Sequence, residues 1–335
     1  MDFETPCLVI DTQLIKSIIS KMNTVGDVYF PVKANAYAPF LEYLAQMGCG
    51  FNVNCPQYLD AVLTCGAKLD KILYDNCLSS REDLDYAIEK GVTLFCVDSI
   101  EQYKYLSGKK SRARFYIKIV DYSINKSSKF GCALFEDLFQ LINGSGKLKG
   151  ISFYLGNDYA TTNNFIRMVN KALSFGAIDN LNIGGGFDDI FDHLELIERL
   201  TLLKQMGMVK KIVLEPGRSL LTPAAVMYSR VVNAREINGI KQLRIDASIY
   251  SGLMDRFIED KVYSISVHNT ASSCADLCKY IVVGHTSDQA DVFGEYMLNE
   301  GIQCGDILEL HNCGSYSFDM SCNYSGCKKL SVRLK

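Results

Sequence analysis

Lys33 closes a short apolar run, Val28–Val32, within Pro31-Val32-Lys33-Ala34-Asn35. A lysine at the end of a buried strand is partly desolvated, which lowers its pKa and suits its amine to Schiff-base formation. Ile183-Gly184-Gly185-Gly186-Phe187 follows another such run, Asn180–Ile183. Three glycines in series admit positive φ and close ligand approach, so their N–H groups can cradle a phosphate. Glu215-Pro216-Gly217-Arg218 follows Lys211–Leu214 and supplies a carboxylate together with a guanidinium whose fork matches phosphate. Singly, each has a plain structural reading: a lysine that has reached water, a flexible turn, a surface ion pair. Their shared place, just after a strand-like run, favours one common site.

The elements that must position these residues alternate regularly. Val28–Val32, Ile72–Tyr74, Val92–Val97, Phe115–Val120, Ile151–Leu155, Asn180–Ile183 and Lys211–Leu214 read as strands, with Gly48–Asn52 as a poorer one. The stretches between carry apolar residues three and four apart, as in Leu14, Ile15, Ile18, Ile19 and Met22. Ser79-x-x-Glu82 and Ser99-x-x-Gln102 have capping-box spelling and predict helix starts. About eight strand–helix units in succession predict a (β/α)₈ TIM-like barrel, whose chemistry sits at the C-terminal ends of its strands. An open doubly wound sheet is the alternative.

Beyond Arg218 the pattern changes. Val226–Asn233, Gln242–Ile245, Val262–Val267, Tyr280–Val283 and Ile307–Leu310 are strand-like, with few helical patterns between them. The expected organisation is a barrel over 13–224 and a mostly-β domain formed by 1–12 plus 225–335, with Cys7–Ile10 free to join its sheet.

Composition bounds the partners. Across 335 residues, 35 Lys+Arg against 38 Asp+Glu leave −3, with no basic block, so nucleic acid is not expected. No apolar run reaches a membrane span, and the acidic start MDFETPCLVI is unlike a signal peptide. Thirteen cysteines without a C-x-x-C read as reduced, mostly buried thiols in a cytoplasmic protein. His193, His268, His285 and His311 lack zinc-ligand spacing, so no metal is expected.

Together, Val32-Lys33-Ala34-Asn35, Lys129-Phe130-Gly131, Ile183-Gly-Gly-Gly-Phe187, Glu215-Pro-Gly-Arg218, the segment Gly284–Asp291 and Gly314-Ser315-Tyr316 span nearly the whole chain. In these motifs the sequence resembles the pyridoxal-phosphate-dependent fold type III amino-acid decarboxylases, the group acting on ornithine, arginine, lysine and diaminopimelate. The resemblance implies an alanine racemase-like barrel followed by a β domain, pyridoxal 5′-phosphate as cofactor, and a homodimer with shared active sites. It implies that Lys33 holds the cofactor and that Gly184, Gly185, Gly186, Gly217, Arg218, Tyr316 and Asn157 surround its phosphate. Glu215 would face the pyridine nitrogen and keep it protonated, which favours decarboxylation over racemisation.

Several positions depart from the family pattern. Tyr154 stands where a ring-stacking histidine is common, and Lys118 where an arginine is usual. Asn52 and Tyr58 replace two acidic positions. Ser287 replaces the cysteine that helps protonate the carbanion from the partner subunit. Asp288 remains at the position that helps bind a distal substrate amine, and Tyr324 at the aromatic position of the shared site. Tyr250, Asp255 and Arg256 fall in the substrate-sorting region. Asp255 would suit a second contact to an amine, Arg256 a distal carboxylate. The expected substrate is a basic amino acid or one with a distal amine. Two other readings stay open: an inactive homologue acting as a regulatory binding protein, and a racemase or lyase on the same barrel.

Overall fold

The computed structural model describes residues 4–109, 112–132, 135–268, 276–327 and 329–335, which divide into two compact units. One is Lys16–Ser219; the other combines Met1–Ile15 with Leu220–Lys335. Strand β1 (Cys7–Ile10) leads into helix α1 (Thr12–Met22).

In the first unit a strand is followed by a helix eight times. The pairs are β2 (Asp27–Pro31) with α2 (Ala38–Gln46), β3 (Gly50–Val53) with α3 (Pro56–Thr64), β4 (Ile72–Tyr74) with α4 (Arg81–Glu89), and β5 (Leu94–Val97) with α5 (Ile100–Gly108). There follow β6 (Arg114–Ile119) with α6 (Phe135–Gly144), β7 (Leu148–Phe153) with α7 (Thr162–Ala172), β8 (Ile178–Asn182) with α8 (Leu194–Gln205), and β9 (Val209–Leu214) with α9 (Arg218–Leu221). All neighbours are parallel, and β9 returns to β2 through Asp27↔Val213 and Val28↔Leu214. The sheet is therefore closed, and the open-sheet alternative falls.

The strands run nearly continuously buried because barrel strands face side chains on one side and helices on the other. Inside the barrel Leu73, Leu94, Cys96 and Tyr116 pack with Tyr29, and Asn180 Nδ2 donates to the Tyr116 hydroxyl at 2.6 Å. The Ser79-x-x-Glu82 spelling places the start of α4 one residue early. Ser80 is the cap, accepting from the Asp83 N–H at 3.1 Å, and both acids lie in the first turn, where the helix dipole favours them. Ser99 caps α5 by accepting from the Gln102 N–H at 3.3 Å.

The second unit is a sheet of eight strands. β10 (Ala225–Ile237) pairs with β1, with β11 (Ile240–Ile245) and with β15 (Ile307–Leu310). β12 (Ile265–Val267) lies against β15; β13 (Leu277–Val283) runs parallel to β11 and antiparallel to β14 (Val292–Asn299). β16 (Ser331–Leu334) runs parallel to β1. The sequence reading has no counterpart for β14 and β16. β14 carries Val292, Phe293, Tyr296, Met297 and Leu298, but Gly294 and Glu295 interrupt the run and its buried residues, Phe293 and Leu298, do not follow a two-residue alternation. Among the described residues no helix is long and apolar enough to cross a membrane.

Candidate active site

Lys33 sits on a single 3₁₀ turn, Val32–Ala34, immediately after β2. Val32, Ala34 and Asn35 are fully buried, and Asn35 Oδ1 accepts from the Tyr37 N–H at 3.0 Å, which fixes the turn. The Lys33 side chain stays open to the mouth of the barrel. Water reaches it there, but protein walls the mouth and thins the solvent around the charge. That desolvation, helped by the Lys118 ammonium, holds the Lys33 amine below its ordinary range, against Asp75 and Glu215.

The floor of the mouth is a hydrogen-bonded set of charges. Lys118, near the end of β6, places its ammonium 2.6 and 2.7 Å from the two Asp75 carboxylate oxygens, and Asn52 Nδ2 donates to the same carboxylate at 3.0 Å. Both partners of the ion pair are largely out of water, with side chains 14% and 5% exposed. Burial by itself would raise Asp75; the Lys118 charge and the donors win and hold it lowered. Lys118 is likewise raised, since Asp75 outweighs its desolvation.

Glu215 follows β9 and accepts from Asn182 Nδ2 at 2.6 Å, while Asn182 Oδ1 accepts from the Gly184 N–H at 2.9 Å. Burial, then the nearby Asp75 charge, raise the Glu215 carboxyl despite Lys118 and the donors from Asn182 and Asn52. A carboxyl raised in this way is short of positive charge.

The glycine triplet is packed to its limit. A Cβ at Gly184 would lie 2.4 Å from the Phe153 carbonyl oxygen, and one at Gly185 2.5 Å from that of Glu215. Gly186 has φ +92°, and a Cβ there would fill the space 3.3 Å from Gly156 O and from the Tyr154 ring. Asn157 and Tyr154 are exposed on the loop after β7, and Gly217 and Arg218 lead into α9. Lys129-Phe130-Gly131 is held by Asp98, whose carboxylate accepts from the Gly131 N–H at 3.0 Å.

The remaining candidates lie in the second unit. Asp291 is buried and folds the Gly284–Asp291 loop around itself, accepting from the Ile249 N–H (2.9 Å), the Thr286 N–H (3.1 Å) and the Thr286 hydroxyl (2.6 Å). Gly284 is required beside it, because a Cβ would meet Asp291 Oδ2 at 2.2 Å. The loop presents Ser287, which is exposed, and Asp288. Asp288 accepts from the Tyr250 hydroxyl at 2.8 Å, the Tyr324 hydroxyl at 3.2 Å and the Ala290 N–H at 2.9 Å, and the two rings stand 4.4 Å apart. Arg256 is paired with Asp260 one turn on, and Asp255 is buried with Lys261 at 3.8 Å. Tyr316 has φ +59°, an uncommon conformation for a bulky residue, just before the short helix Ser317–Met320.

Asp75 and Asn182 belong to this site and are absent from the sequence reading. Asp75 carried a signal, standing directly after the Ile72–Tyr74 run where barrel chemistry collects. Asn182 carried none, since an asparagine inside a strand-like run reads as an interruption.

A closed parallel barrel with lysine, glycine cradle, carboxylate and arginine at its strand ends, followed in the chain by a β unit, is the architecture of the fold type III pyridoxal-phosphate enzymes. Residues 12–222 match the family of pyridoxal-dependent decarboxylases, in its pyridoxal-binding domain. The chain belongs to that family: it is an amino-acid decarboxylase that uses pyridoxal 5′-phosphate. It is 27% identical to a diaminopimelate decarboxylase of Pseudomonas fluorescens, over 89% of this chain and 78% of that one. It is 24% identical to ornithine decarboxylase 2 of Drosophila melanogaster, over 89% and 82%. In fold it resembles the lysine/ornithine decarboxylase of Vibrio vulnificus complexed with putrescine, with TM-score 0.86, 19% identity and coverage of 100% and 95%. The residues present fit the cofactor: the cradle has room only for backbone, and Glu215 is short of the positive charge a protonated pyridine carries.

Proposed function

We propose that the protein decarboxylates an amino acid whose side chain ends in an ammonium group. The observation that carries this reading is Asp288, a carboxylate that accepts from the hydroxyls of two tyrosines whose rings pack 4.4 Å apart. Aromatic faces and a carboxylate together suit a cation. Arg256, the residue that would suit a distal carboxylate, is neutralised by Asp260. The relatives named for ornithine and lysine support the same direction, whereas the one named for diaminopimelate is named for a substrate whose distal end carries both an ammonium and a carboxylate.

Bound pyridoxal phosphate supplies an electron sink for the pair left on Cα when CO₂ departs. In this proposal Lys33 holds the cofactor through its amine, and Glu215 keeps a negative charge against the ring nitrogen, oriented by Asn182. Gly184, Gly185, Gly186, Asn157, Gly217, Arg218 and Tyr316 bind the phosphate, and Tyr154 stacks on the ring. Ser287 delivers the proton that replaces CO₂, and its hydroxyl is a weaker acid than the family thiol. Tyr250 and Tyr324 hold Asp288 in place. The working unit is a homodimer in which one subunit supplies Lys33 and its partner the loop carrying Ser287 and Asp288.

Release of CO₂ from a panel of amino acids with amine, neutral and carboxylate ends tests the substrate class. Selective turnover of the amine-ended members is expected; preference for neutral or carboxylate ends overturns it, and a cofactor-loaded protein that turns over none favours a regulatory role. For the dimer, mixing Lys33→Ala with Asp288→Ala should restore activity, because one site of each heterodimer then has both residues. Inactive heterodimers would remove the shared-site arrangement.

A further inference from the structure

Cys77 and Cys96 lie at the C-terminal ends of neighbouring strands, Cys77 just past β4 and Cys96 within β5. Their sulfurs and a carboxylate oxygen of Asp75 all lie within 4.8 Å of one another, and the Cys77 thiol donates to the Cys96 carbonyl at 3.7 Å. A metal ion is a poor occupant for this cluster, because the Lys118 ammonium already holds both oxygens of Asp75. The two sulfurs instead stand beside the acids of the site: both lie within 4.8 Å of a carboxylate oxygen of Asp75, and Asp98, two residues past Cys96, anchors the Gly131 N–H.

We propose that Cys77 and Cys96 are an oxidative modification site, taking hydroperoxides as oxidant and closing to a disulfide that lowers activity. Cys77 is half-buried and Cys96 buried, so Cys77 meets the oxidant first. Its thiolate attacks one peroxide oxygen and the O–O bond breaks. The departing hydroxide takes up the thiol proton as water, and Cys77 becomes a sulfenic acid. The Cys96 sulfur then attacks the Cys77 sulfur. The S–O bond breaks, the S–S bond forms, and the hydroxyl leaves with the Cys96 proton as a second water. Two thiols are oxidised by two electrons and one hydroperoxide is reduced. A disulfide bond is about 2 Å long, so closure draws both sulfurs inward from their places beside the carboxylates.

The cost falls on the cofactor site. The cluster that moves includes the Asp75 carboxylate that holds Lys118, and Cys96 is two residues from Asp98, which fixes Gly131. Weakening one charge-assisted hydrogen bond of this set is worth about a tenfold change in an equilibrium or rate.

The test uses the cofactor-loaded enzyme, treated with hydrogen peroxide, alkylated and digested with trypsin without reduction. The proposal expects peptide 72–81 joined to peptide 91–104, with two hydrogens lost, and an activity decrease of about tenfold that dithiothreitol reverses. The exposed Cys304 and Cys322 serve as internal controls for oxidant strength. Full oxidation of those two with no 72–81/91–104 species overturns the proposal, as does complete cross-linking with unchanged activity. In Cys77→Ser, which keeps a hydroxyl donor for the Cys96 carbonyl, activity must cease to respond to peroxide, at whatever level it starts. The activity arm rests on the decarboxylase reading; the peptide arm does not, so failure of the one is distinguishable from failure of the other.

Discussion

Two carboxylates of this protein are shifted in opposite directions. Glu215, at the barrel mouth, is raised by burial and by Asp75. Asp288, on the loop of the β unit, is lowered, first by the Ala290 N–H and then by the hydroxyls of Tyr250 and Tyr324. Glu215 has the amides of Asn182 and Asn52 and the Lys118 charge acting to lower it, yet burial and the Asp75 carboxylate outweigh them, so a further positive charge against it would be favoured. Asp288 is open to water and already satisfied by donors, so it keeps its charge whether or not a cation is present. The first arrangement suits a cofactor that stays; the second suits a substrate end that comes and goes.

The largest effect is expected at the strand-end lysine of the barrel. Lys33→Ala should abolish covalent cofactor retention and bring CO₂ release below detection, measured after borohydride reduction and peptide mapping. An adduct elsewhere with activity retained would move the site. Glu215→Gln keeps the shape and the Asn182 contact but removes the charge. CO₂ release in single turnover should slow by about 10²-fold or more, at least ~2.7 kcal/mol of transition-state stabilisation, with cofactor occupancy largely unchanged. Near-unaltered turnover at full occupancy would mean that its charge does not serve the ring nitrogen.

Asp75→Asn leaves the buried Lys118 ammonium without its counter-charge. Breaking a buried pair costs about 3–5 kcal/mol, and a denaturant midpoint lowered at unchanged slope is the expected signature. Since Asp75 is held below its ordinary pKa, the stability it supplies is present above the usual carboxylate range and lost as pH falls through its folded value. The loss on acidification should therefore be smaller in Asp75→Asn.

On the other side of the comparison, Asp288→Asn should raise KM for the amine-ended substrate by about tenfold and leave cofactor loading untouched. A fall in kcat at constant KM would instead place Asp288 in the chemical step. The smallest effect concerns Lys33 in the free enzyme. Its amine is lowered by desolvation and by Lys118, so the neutral, reactive form persists to lower pH than for a free lysine. Cofactor attachment to the apoenzyme should have its midpoint below pH 10.5, the ordinary value. A midpoint at or above it would show an amine that the mouth does not desolvate.

The barrel was legible because each of its strands is a local event. A run such as Ile72–Tyr74 or Leu94–Val97 is buried on both faces and so is continuously apolar, and the stretch after it repeats every three to four residues. Lys33, the glycine triplet, Glu215 and Arg218 were legible for a related reason: each stands directly after such a run, and a barrel delivers strand ends to one face. Strands β14 and β16 were not, because Gly294 and Glu295 interrupt the apolar residues of Val292–Asn299, and Ser331–Leu334 is a four-residue strand with a single buried residue.

What the sequence determined by itself is therefore the alternation that makes a barrel, the type of residue at each strand end, and the family those residues spell. Tertiary structure decided which of them meet. Asn52, Asp75 and Lys118 come from β3, from the end of β4 and from β6, and only closure of the sheet brings their polar atoms within 3.0 Å. Tyr250, Asp288 and Tyr324 are separated by 38 and 36 residues, and converge because Asp291 ties the Gly284–Asp291 loop to the backbone of Ile249. Periodicity reports the environment of one segment at a time. The charge balance that raises Glu215 and lowers Asp288 is a property of what surrounds them, and the surroundings exist only once the chain has folded.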